Sequence, residues 1–287
     1  MSLDLLPRLE CRKDHGTLIQ HPDHLECAIC HTSYPIRNGA MVFEEPPAEI
    51  APTNIGDPLV FKLKSYFKRF HSLYYVLVRI AGALFVGRKT GLSAFKNLPA
   101  GSVIINLGSG PKVMPGDIVN LDSFPFQGVA VCADAARLPF KDNSVDAIMC
   151  ECVLEHVTNP VEVVTEMRRV LKIGGLAYVS IPFMDPYHSA PDDYYRWTTS
   201  GLRELMKGFD EKELRIAFGP TSTLVAAISH WTGIVLSFGS RTLYQLITLG
   251  MSVILSPLKL LDYILRDVPY ATNATVGYYF IGAKKEN

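Results

Sequence analysis

A glycine-rich turn and a carboxylate follow two consecutive apolar segments in the middle of the chain. Residues 103–107 form a β-branched run that leads into Gly108-Ser-Gly110, and Asp122 ends the next run. Glycine permits positive φ angles and lets a bound cofactor approach the main chain closely. A carboxylate at the end of the adjacent strand can accept hydrogen bonds from both hydroxyls of a ribose. The third glycine of the dinucleotide-binding fingerprint is absent, so the motif alone also fits a plain β-turn.

Two histidines are candidates for acid–base chemistry, because imidazole titrates near neutral pH. His156 lies in Leu154-Glu-His156, where a structural role fits the sequence equally well. His188 lies in the segment 186–198, directly after an apolar run, and loops in this position carry the substrate site of open α/β sheets. A surface loop covering the sheet edge is the alternative. The side chains of this segment that suit stacking on, or bonding to, a sugar or ring are Tyr187, Asp192, Tyr194, Arg196 and Trp197.

The first 50 residues contain three of the six cysteines at a spacing typical of metal sites. Cys27-Ala-Ile-Cys30 is a Cys-x-x-Cys pair, and Cys11 is followed by Asp14 and His15. Zinc accepts all three ligand types, so a Cys3Asp or Cys3His zinc site is one interpretation. A metal-free module held by a small apolar core is the other. We expect the remaining three cysteines to be small buried residues; they are Cys132, Cys150 and Cys152.

The composition is that of a globular protein with a large core. The 287 residues are 48% hydrophobic, and 28 basic side chains balance 28 acidic ones. These values exclude a disordered, collagen-like or disulfide-stapled chain, and the zero net charge argues against a generally basic nucleic-acid binder. The charge is uneven, since residues 58–96 carry eight basic side chains and no acidic one. No secretory signal is visible, so we expect a reducing, cytoplasmic location.

Alternating β-rich runs and helical segments predict a doubly wound, mostly parallel α/β sheet over residues 98–287. We expect strands at 103–107, 118–121, 129–132, 147–150, 177–182, 214–218 and 276–283. A helix is expected at 160–171, ending at Lys172-Ile-Gly-Gly175. Residues 1–50 predict a small β module, and residues 51–97 a Pro-rich linker followed by a basic amphipathic helix at 58–87.

A hydrophobic helical insert is predicted at about residues 220–275, between the last two strands. From Leu224 to Leu265 the only charged residues are Arg241, Lys259 and Asp262. These charges favour an interfacial or re-entrant helical pair over a spanning helix. Together with the basic helix, the insert suits peripheral contact with an anionic membrane. Two alternatives stay open: both regions cap the sheet or form a homodimer, or the basic face follows an RNA backbone.

The order of the central motifs resembles that of class I S-adenosylmethionine-dependent methyltransferases, in the group that includes small-molecule and glycan methyltransferases. The resemblance implies a seven-stranded Rossmann-like sheet and S-adenosyl-L-methionine as cofactor. The segments that carry it are 105–111, Asp122, Asp134-Ala-Ala-Arg-Leu-Pro-Phe140, 151–157, 166–175 and 178–182. By this resemblance, the turn Leu107-Gly108-Ser109-Gly110 flanks the methionine part of the cofactor, Asp122 holds the ribose hydroxyls, Asp134 and Ala135 bind adenine, and Glu151 lines the methionine end.

The first module resembles the zinc-ribbon-like domain of the tRNA-methyltransferase-activator (Trm112-like) family in the segment Tyr34-Pro-Ile-Arg-Asn-Gly39. That family's first Cys-x-x-Cys is replaced here by Cys11-Arg-Lys-Asp14.

A second departure concerns the methyltransferase part, where only eleven residues separate Gly110 from Asp122. This connection is too short for the usual first helix.

These features predict a methyltransferase in the cytoplasm, peripheral to the inner face of the membrane, whose acceptor is a glycan, a glycolipid or another lipid-linked small molecule. His156 or His188 would then take the proton of a hydroxyl acceptor. An RNA methyltransferase that uses the N-terminal module and the basic helix is one alternative. A non-catalytic partner protein that keeps the fold is another.

Overall fold

The computed structural model describes residues 5–46, 80–111, 114, 118–188 and 192–286. The strands are Leu18–Gln20 (β1), His24–Cys27 (β2), Ser33–Arg37 (β3), Ala40–Val42 (β4), Ile104–Leu107 (β5), Ile118–Asp122 (β6), Val131–Cys132 (β7), Val145–Glu151 (β8), Leu171–Pro182 (β9), Phe209–Phe218 (β10) and Gly277–Lys284 (β11). The α-helices are Gly91–Ala94 (α1), Pro160–Val170 (α2), Thr199–Leu205 (α3), Pro220–Leu236 (α4), Arg241–Ile254 (α5) and Asp262–Leu265 (α6). Short 3₁₀ segments lie at Leu6–Arg8, Leu154–His156, Ser256–Leu261 and Pro269–Asn273.

A Rossmann-like α/β sheet forms the centre of the molecule, with the strand order β7-β6-β5-β8-β9-β11-β10. The strands from β7 to β9 run parallel, whereas β11 lies antiparallel between β9 and β10. The central strands carry buried apolar side chains, as parallel strands covered on both faces require. Because parallel strands end at the same edge, the segments that follow β5, β6, β7 and β8 meet there.

The N-terminal strands extend this sheet and do not form a separate one. Met41 and Val42 of β4 pair in parallel with Val131 and Cys132 of β7, so that all eleven described strands are continuous. Five of the ten strand pairs are antiparallel, so the eleven-stranded sheet is mixed. Within residues 98–287, where the mostly parallel sheet was predicted, four of the six pairs run parallel. Strand β7 would otherwise be an exposed edge, and pairing with β4 satisfies its backbone groups.

The junction of α2 and β9 differs from the prediction. The helix ends at Val170, and Leu171 already has extended backbone and pairs with Val145 of β8. The expected stop signal at residues 172–175 lies inside β9, where the pairing register shifts and Gly174 takes a φ of +73°. The positive φ is the conformation that glycine accepts most readily, so the signal marks a strand irregularity here.

The basic helix predicted at 58–87 falls mainly outside the described residues, and with it Lys62, Lys64, Lys68 and Arg69. Within the described part, only residues 80 and 81 are helical. The backbone N–H groups of Val86 and Gly87 donate to the carbonyl of Ala217 at 2.8 and 3.1 Å. The prediction is wrong for residues 84–87, because this apolar segment runs along β10 at the edge of the sheet.

The insert between β10 and β11 folds as α4, α5, α6 and the intervening turns. The buried carboxylate of Asp262 accepts hydrogen bonds from the backbone N–H groups of Thr221 and Ser222 at 2.7 and 2.9 Å, which satisfies the amino end of α4. The buried Lys259 donates from Nζ to the carbonyls of residues 80–82 at 2.8 to 3.2 Å. The contacts of Lys259 attach the insert to the segment that lies between β4 and β5 in the chain.

The outer face of the insert is strongly apolar. Phe238 is 89% exposed, Ile264 71% and Trp231 65%. Within the described ranges no single helix is long and apolar enough to cross a membrane, although α5 and the segment Ser256–Leu265 meet the length and composition criteria as a pair bent by 48°.

Candidate functional site

The turn after β5 is built around two glycines with positive φ. Gly108 has a φ of +68° and Gly110 a φ of +55°. A Cβ atom at Gly108 would lie 2.3 Å from Cγ2 of Val153, whereas a Cβ at Gly110 would meet no heavy atom within 4 Å. Gly108 is therefore required by close packing as well as by backbone conformation. Gly110 borders open space, which leaves its backbone accessible to a ligand.

Asp122 connects the ends of β6 and β5. Its Oδ2 accepts a hydrogen bond from the N–H of Gly110 at 2.8 Å, and its Oδ1 accepts one from the N–H of Phe124 at 3.0 Å. Each carboxylate oxygen has two acceptor positions, so both oxygens retain one for a further donor. This arrangement fits a ribose diol, whose two hydroxyls are such donors.

The other residues expected to bind the cofactor lie at the same edge of the sheet. Asp134 follows β7, and its Oδ1 accepts a hydrogen bond from the N–H of Ala136 at 2.9 Å, which fixes the turn that contains Ala135. Glu151 is the last residue of β8 and is half-buried. The structure thus gathers at one edge the residues that the sequence spreads over 107–151. Their donor and acceptor groups fit S-adenosyl-L-methionine.

The two candidate bases lie together on the neighbouring side of the edge. The rings of His156 and His188 are 5.2 Å apart between centroids and packed edge to face. Nδ1 of His156 lies 2.6 Å from the carbonyl oxygen of Asp192, and Nδ1 of His188 lies 3.2 Å from that of Pro186. Because a carbonyl only accepts, both Nδ1 atoms carry the proton, which leaves Nε2 as the free acceptor of each neutral ring.

Glu155 is a functional candidate that sequence reasoning missed. Its side chain is fully buried, and neither carboxylate oxygen has a hydrogen-bond partner among the described residues. Its Oε1 lies 4.0 Å from Nε2 of His156. Burial raises the pKa of Glu155 to about 7, and burial lowers the pKa of His156. The sequence offered only the adjacency of the two residues, which does not show that both side chains are buried.

The loop after β9 is organised by an ion pair between Arg196 and the buried Asp193. The guanidinium also donates to the carbonyls of Asp185 and Pro186 at 3.0 Å, and Asp193 accepts from the N–H of His188 at 2.9 Å. Arg196 is thus a structural clamp for the loop and not a free substrate ligand. The carboxylates of Asp185 and Asp193 hold His188 in place.

The five expected substrate ligands separate into two groups. Tyr187 and Tyr194 are exposed, and Asp192 is half-buried and accepts from the Tyr194 hydroxyl at 3.2 Å. Trp197 is packed into the core and stacks on Tyr195, so its ring is largely covered, and its role in stacking on a substrate stays a prediction. The bulky apolar ring fills the space beneath the loop, and sequence alone did not show which aromatic residue would do so.

A cavity of about 250 Å³ lies between this loop and the insert. Asp185, Tyr187 and His188 line it from the loop, and His230 lines it from α4. Lys259 also lines the cavity, and its ammonium group donates hydrogen bonds to backbone carbonyls. The insert therefore forms one wall of a cavity whose other wall contains a candidate catalytic residue.

The predicted metal ligands also converge. One ligand atom from each of Cys11, Asp14, Cys27 and Cys30 lies within 4.8 Å of the others. The Sγ atoms of Cys11 and Cys30 are 3.6 Å apart, and Sγ of Cys27 is 3.2 Å from Oδ1 of Asp14. Two sulfurs bound tetrahedrally to one zinc are about 3.8 Å apart, so this set fits the ion.

His15 is outside that set. Its Nδ1 lies 2.8 Å from a Glu10 oxygen, and its side chain is exposed. Asp14 is thus the fourth candidate ligand.

The expectation that the three later cysteines are buried holds for Cys132 and Cys150 and is wrong for Cys152, which is exposed at the end of β8 with a φ of +53°.

Comparison with known proteins assigns a methyltransferase domain to the centre of the chain, where residues 118–179 match the family model described as "Methyltransferase domain". An uncharacterized protein of Methanocaldococcus jannaschii is 32% identical over 129 residues, which are 45% of this chain and 51% of the relative. An uncharacterized methyltransferase of Mycobacterium tuberculosis is 47% identical over 53 residues, 18% of this chain and 21% of the relative. The chain thus spans about half of the first relative and about a fifth of the second.

Among solved structures, phosphoethanolamine N-methyltransferase 2 of Haemonchus contortus, in complex with S-adenosyl-L-methionine, is 15% identical. The alignment covers 78% of this chain and 60% of that one, with a TM-score of 0.45. The Rossmann-like fold is shown by the strand order of the protein itself.

Proposed function

We propose that this protein is an S-adenosylmethionine-dependent methyltransferase that acts on a glycan, a glycolipid or another lipid-linked small molecule at the inner surface of a membrane. The observation that carries the proposal is the convergence of the Gly108–Gly110 turn, Asp122, Asp134 and Glu151 at one sheet edge, within and beside the segment that matches the methyltransferase domain. No other described cluster combines an open glycine turn with an acidic residue at or just beyond the end of each of the next three strands.

In this proposal the chain contributes binding and alignment more than covalent chemistry. Bound S-adenosyl-L-methionine supplies an activated methyl group, so orientation of the acceptor accounts for much of the rate. Asp122 binds the ribose hydroxyls, and the glycine turn allows the ligand to approach the main chain closely. The Nε2 atoms of His156 and His188 are positioned to accept a proton from an acceptor hydroxyl on the side of the loop after β9.

The location at a membrane is supported by the insert. Its exposed apolar side chains, among them Trp231, Phe238 and Ile264, lie on a contiguous part of the chain. Large exposed apolar surfaces on a folded protein mark interaction sites, and a helical surface of this kind suits the headgroup region of a bilayer. The cavity beside Asp185 and His188 then connects the acceptor side to the wall formed by the insert.

We also propose that Cys11, Asp14, Cys27 and Cys30 bind zinc. Beyond the convergence of the ligand atoms, the backbone N–H groups of Lys13 and Ile29 each donate to the cysteine sulfur two residues earlier, at 3.4 Å. The turns at Cys11–Lys13 and Cys27–Ile29 therefore present their cysteine sulfurs in the same way, with N–H donors that stabilise a thiolate. The ion would stabilise the fold of residues 5–44 and add to the contacts that their apolar side chains make with the core of the central sheet.

Isothermal titration calorimetry with S-adenosyl-L-methionine tests the proposed cofactor. We expect binding by the wild-type protein and at least about tenfold weaker binding by Asp122→Ala, because hydrogen bonds to a charged acceptor contribute about 1.5–3 kcal/mol each. Asp210→Ala, which removes an exposed carboxylate on β10, serves as the matched control and should leave the affinity unchanged. Absence of binding by the wild-type protein, or equal affinities for wild type and Asp122→Ala, would refute the assignment.

Two further measurements separate the alternatives. Salt-dependent RNA binding that is lost when Lys64, Lys68 and Arg69 are neutralised, without binding to vesicles, would favour an RNA acceptor. Cofactor binding without methyl transfer to any component of a cell extract, assayed with a labelled methyl group, would favour a non-catalytic partner protein.

A further inference from the structure

The buried carboxylate of Glu155 lies beside two histidines. Contacts of their Nδ1 atoms with neighbouring oxygens orient both rings. One ligand atom from each of Glu155, His156 and His188 lies within 4.8 Å of the other two. None of the three residues belongs to the cysteine cluster or to the glycine turn that binds the proposed cofactor. Two imidazoles and one carboxylate form a ligand set that proteins use for divalent transition metals.

In both histidines Nδ1 lies against oxygen acceptors, as the non-coordinating nitrogen of a metal-binding histidine does. Nδ1–H of His156 donates to the carbonyl of Asp192 at 2.6 Å, which leaves Nε2 on the side of Glu155. Nδ1 of His188 lies 3.2 Å from Oδ2 of Asp185 and 3.7 Å from Oδ2 of Asp193. A histidine ligand typically donates its other ring N–H to a carboxylate or a carbonyl, which fixes the tautomer and makes the coordinating nitrogen more basic.

Glu155 gives an independent indication that this cluster takes a cationic ligand. A fully buried carboxylate without hydrogen bonds carries a desolvation cost of several kcal/mol that some partner normally offsets. The nearby guanidinium of Arg196 does not bond to it, because its donors are directed to Asp193 and to the carbonyls of Asp185 and Pro186. Among the described residues, His156 is the one basic side chain within salt-bridge distance of Glu155.

We propose that Glu155, His156 and His188 form a binding site for a divalent transition-metal ion such as Zn²⁺, Co²⁺ or Mn²⁺. The 4.0 Å between Oε1 of Glu155 and Nε2 of His156 exceeds by about half an ångström the separation of two ligands around one such ion, so binding draws the side chains together. His188 is 43% exposed, which gives the ion a route of entry and leaves coordination positions open.

The role of this ion in catalysis rests on the proposed function, whereas its binding does not. The site lies on the acceptor side, next to the cavity that Asp185 and His188 line. A coordinated hydroxyl group has a lowered pKa, so the bound acceptor would release its proton to solvent on the exposed side of His188 and not to a free histidine base. Its open positions would also orient the acceptor.

Titration of the chelator-treated full chain with Co²⁺, followed by absorption spectroscopy, tests the site. We expect two signals: intense thiolate-to-cobalt charge transfer from the cysteine cluster, and d–d bands without charge transfer from the new site. Glu155→Gln and His188→Asn should weaken the second site at least about tenfold and leave the first unchanged. Cys30→Ser should weaken the first site and leave the second unchanged. Glu162→Gln, which replaces an exposed carboxylate on α2, should change neither site.

Only thiolate-type binding by the wild-type protein, or an unchanged second site in both Glu155→Gln and His188→Asn, would overturn the proposal. If Glu155→Gln fails to fold, as judged by circular dichroism, the half-exposed His188 still provides the test. Calorimetry with S-adenosyl-L-methionine on the same samples distinguishes this failure from failure of the proposed function, since the two ligands are measured separately.

Discussion

Oδ2 of Asp122 accepts a hydrogen bond from the backbone N–H of Gly110 at 2.8 Å. This contact joins the end of β6 to the turn after β5 and requires the main chain of that turn to bend toward the carboxylate. The positive φ angles of Gly108 and Gly110 make the bend possible. A residue expected to bind the cofactor thus also shapes the turn that we expect the cofactor to contact.

The packing of Gly108 against Val153 gives a prediction of stability. Gly108→Ala should lower the free energy of unfolding by about 1–2 kcal/mol for the positive φ and by about 1–3 kcal/mol more for overlap with Val153. Gly101→Ala is the control, because Gly101 has a φ of +80° and open space around its Cβ position. Urea unfolding of both variants isolates the contact. Adding Val153→Ala should recover part of the loss, and additive effects in the double variant would show that the contact is absent.

The metal ligands predict a contrast between neighbouring residues. Elemental analysis should find about one zinc ion more in the wild type than in Cys30→Ser, and Asp14→Ala should weaken the retention of that ion against a chelator at least about tenfold. His15→Ala should retain zinc like the wild type, because His15 faces Glu10 and solvent. Loss of zinc in the His15 variant alone would mean that the fourth ligand has been assigned to the wrong residue.

The insert should bind to lipid bilayers. Flotation with vesicles of phosphatidylcholine and phosphatidylglycerol should recover the wild-type protein, and Trp231→Ser with Phe238→Ser should reduce recovery about tenfold or more. Full burial of a large apolar side chain contributes about 1.5–3 kcal/mol, which sets this scale. Ile173→Ser removes an exposed apolar side chain from β9 and is the control. Equal recovery of the double variant and the wild type would exclude the insert as the membrane contact.

Asp146 predicts part of the acid sensitivity of the fold. Burial opposes its ionisation, but hydrogen bonds from Lys172 at 2.5 Å and from the N–H of Val103 at 2.8 Å outweigh burial and hold its pKa below the usual value. A carboxylate with a lowered pKa stabilises the fold above its unfolded-state pKa of about 4, and this contribution is lost as the pH falls through the folded-state pKa.

Asp146→Asn should therefore be less stable than the wild type at pH 7, by about 2 kcal/mol, and the difference should shrink as the pH falls below about 4. Urea unfolding between pH 3 and 7 measures it, with the exposed Asp210→Asn as the control. A difference that is independent of pH would show that the effect of the substitution is steric.

Local sequence patterns were sufficient to predict the alternation of strands and helices in the centre of the chain and the residues at the strand ends. Hydrophobic periodicity and glycine placement are local properties, so β5, β6 and α2 begin and end within a few residues of their predicted positions. The spacing of Cys11, Cys27 and Cys30 likewise indicated that these side chains converge, because the Cys-x-x-Cys pair and the residues after Cys11 are visible as local patterns.

How distant segments meet, by contrast, is a property of the folded chain. Pairing of β4 with β7, the burial of Trp197 and the carboxylate of Glu155, which has no hydrogen-bond partner among the described residues, all depend on contacts between residues far apart in the chain. A sequence shows which side chains are available, but burial and hydrogen-bond partners are properties of the packed arrangement. For this reason the glycine turn was visible in the sequence, whereas the cluster of Glu155, His156 and His188 was not.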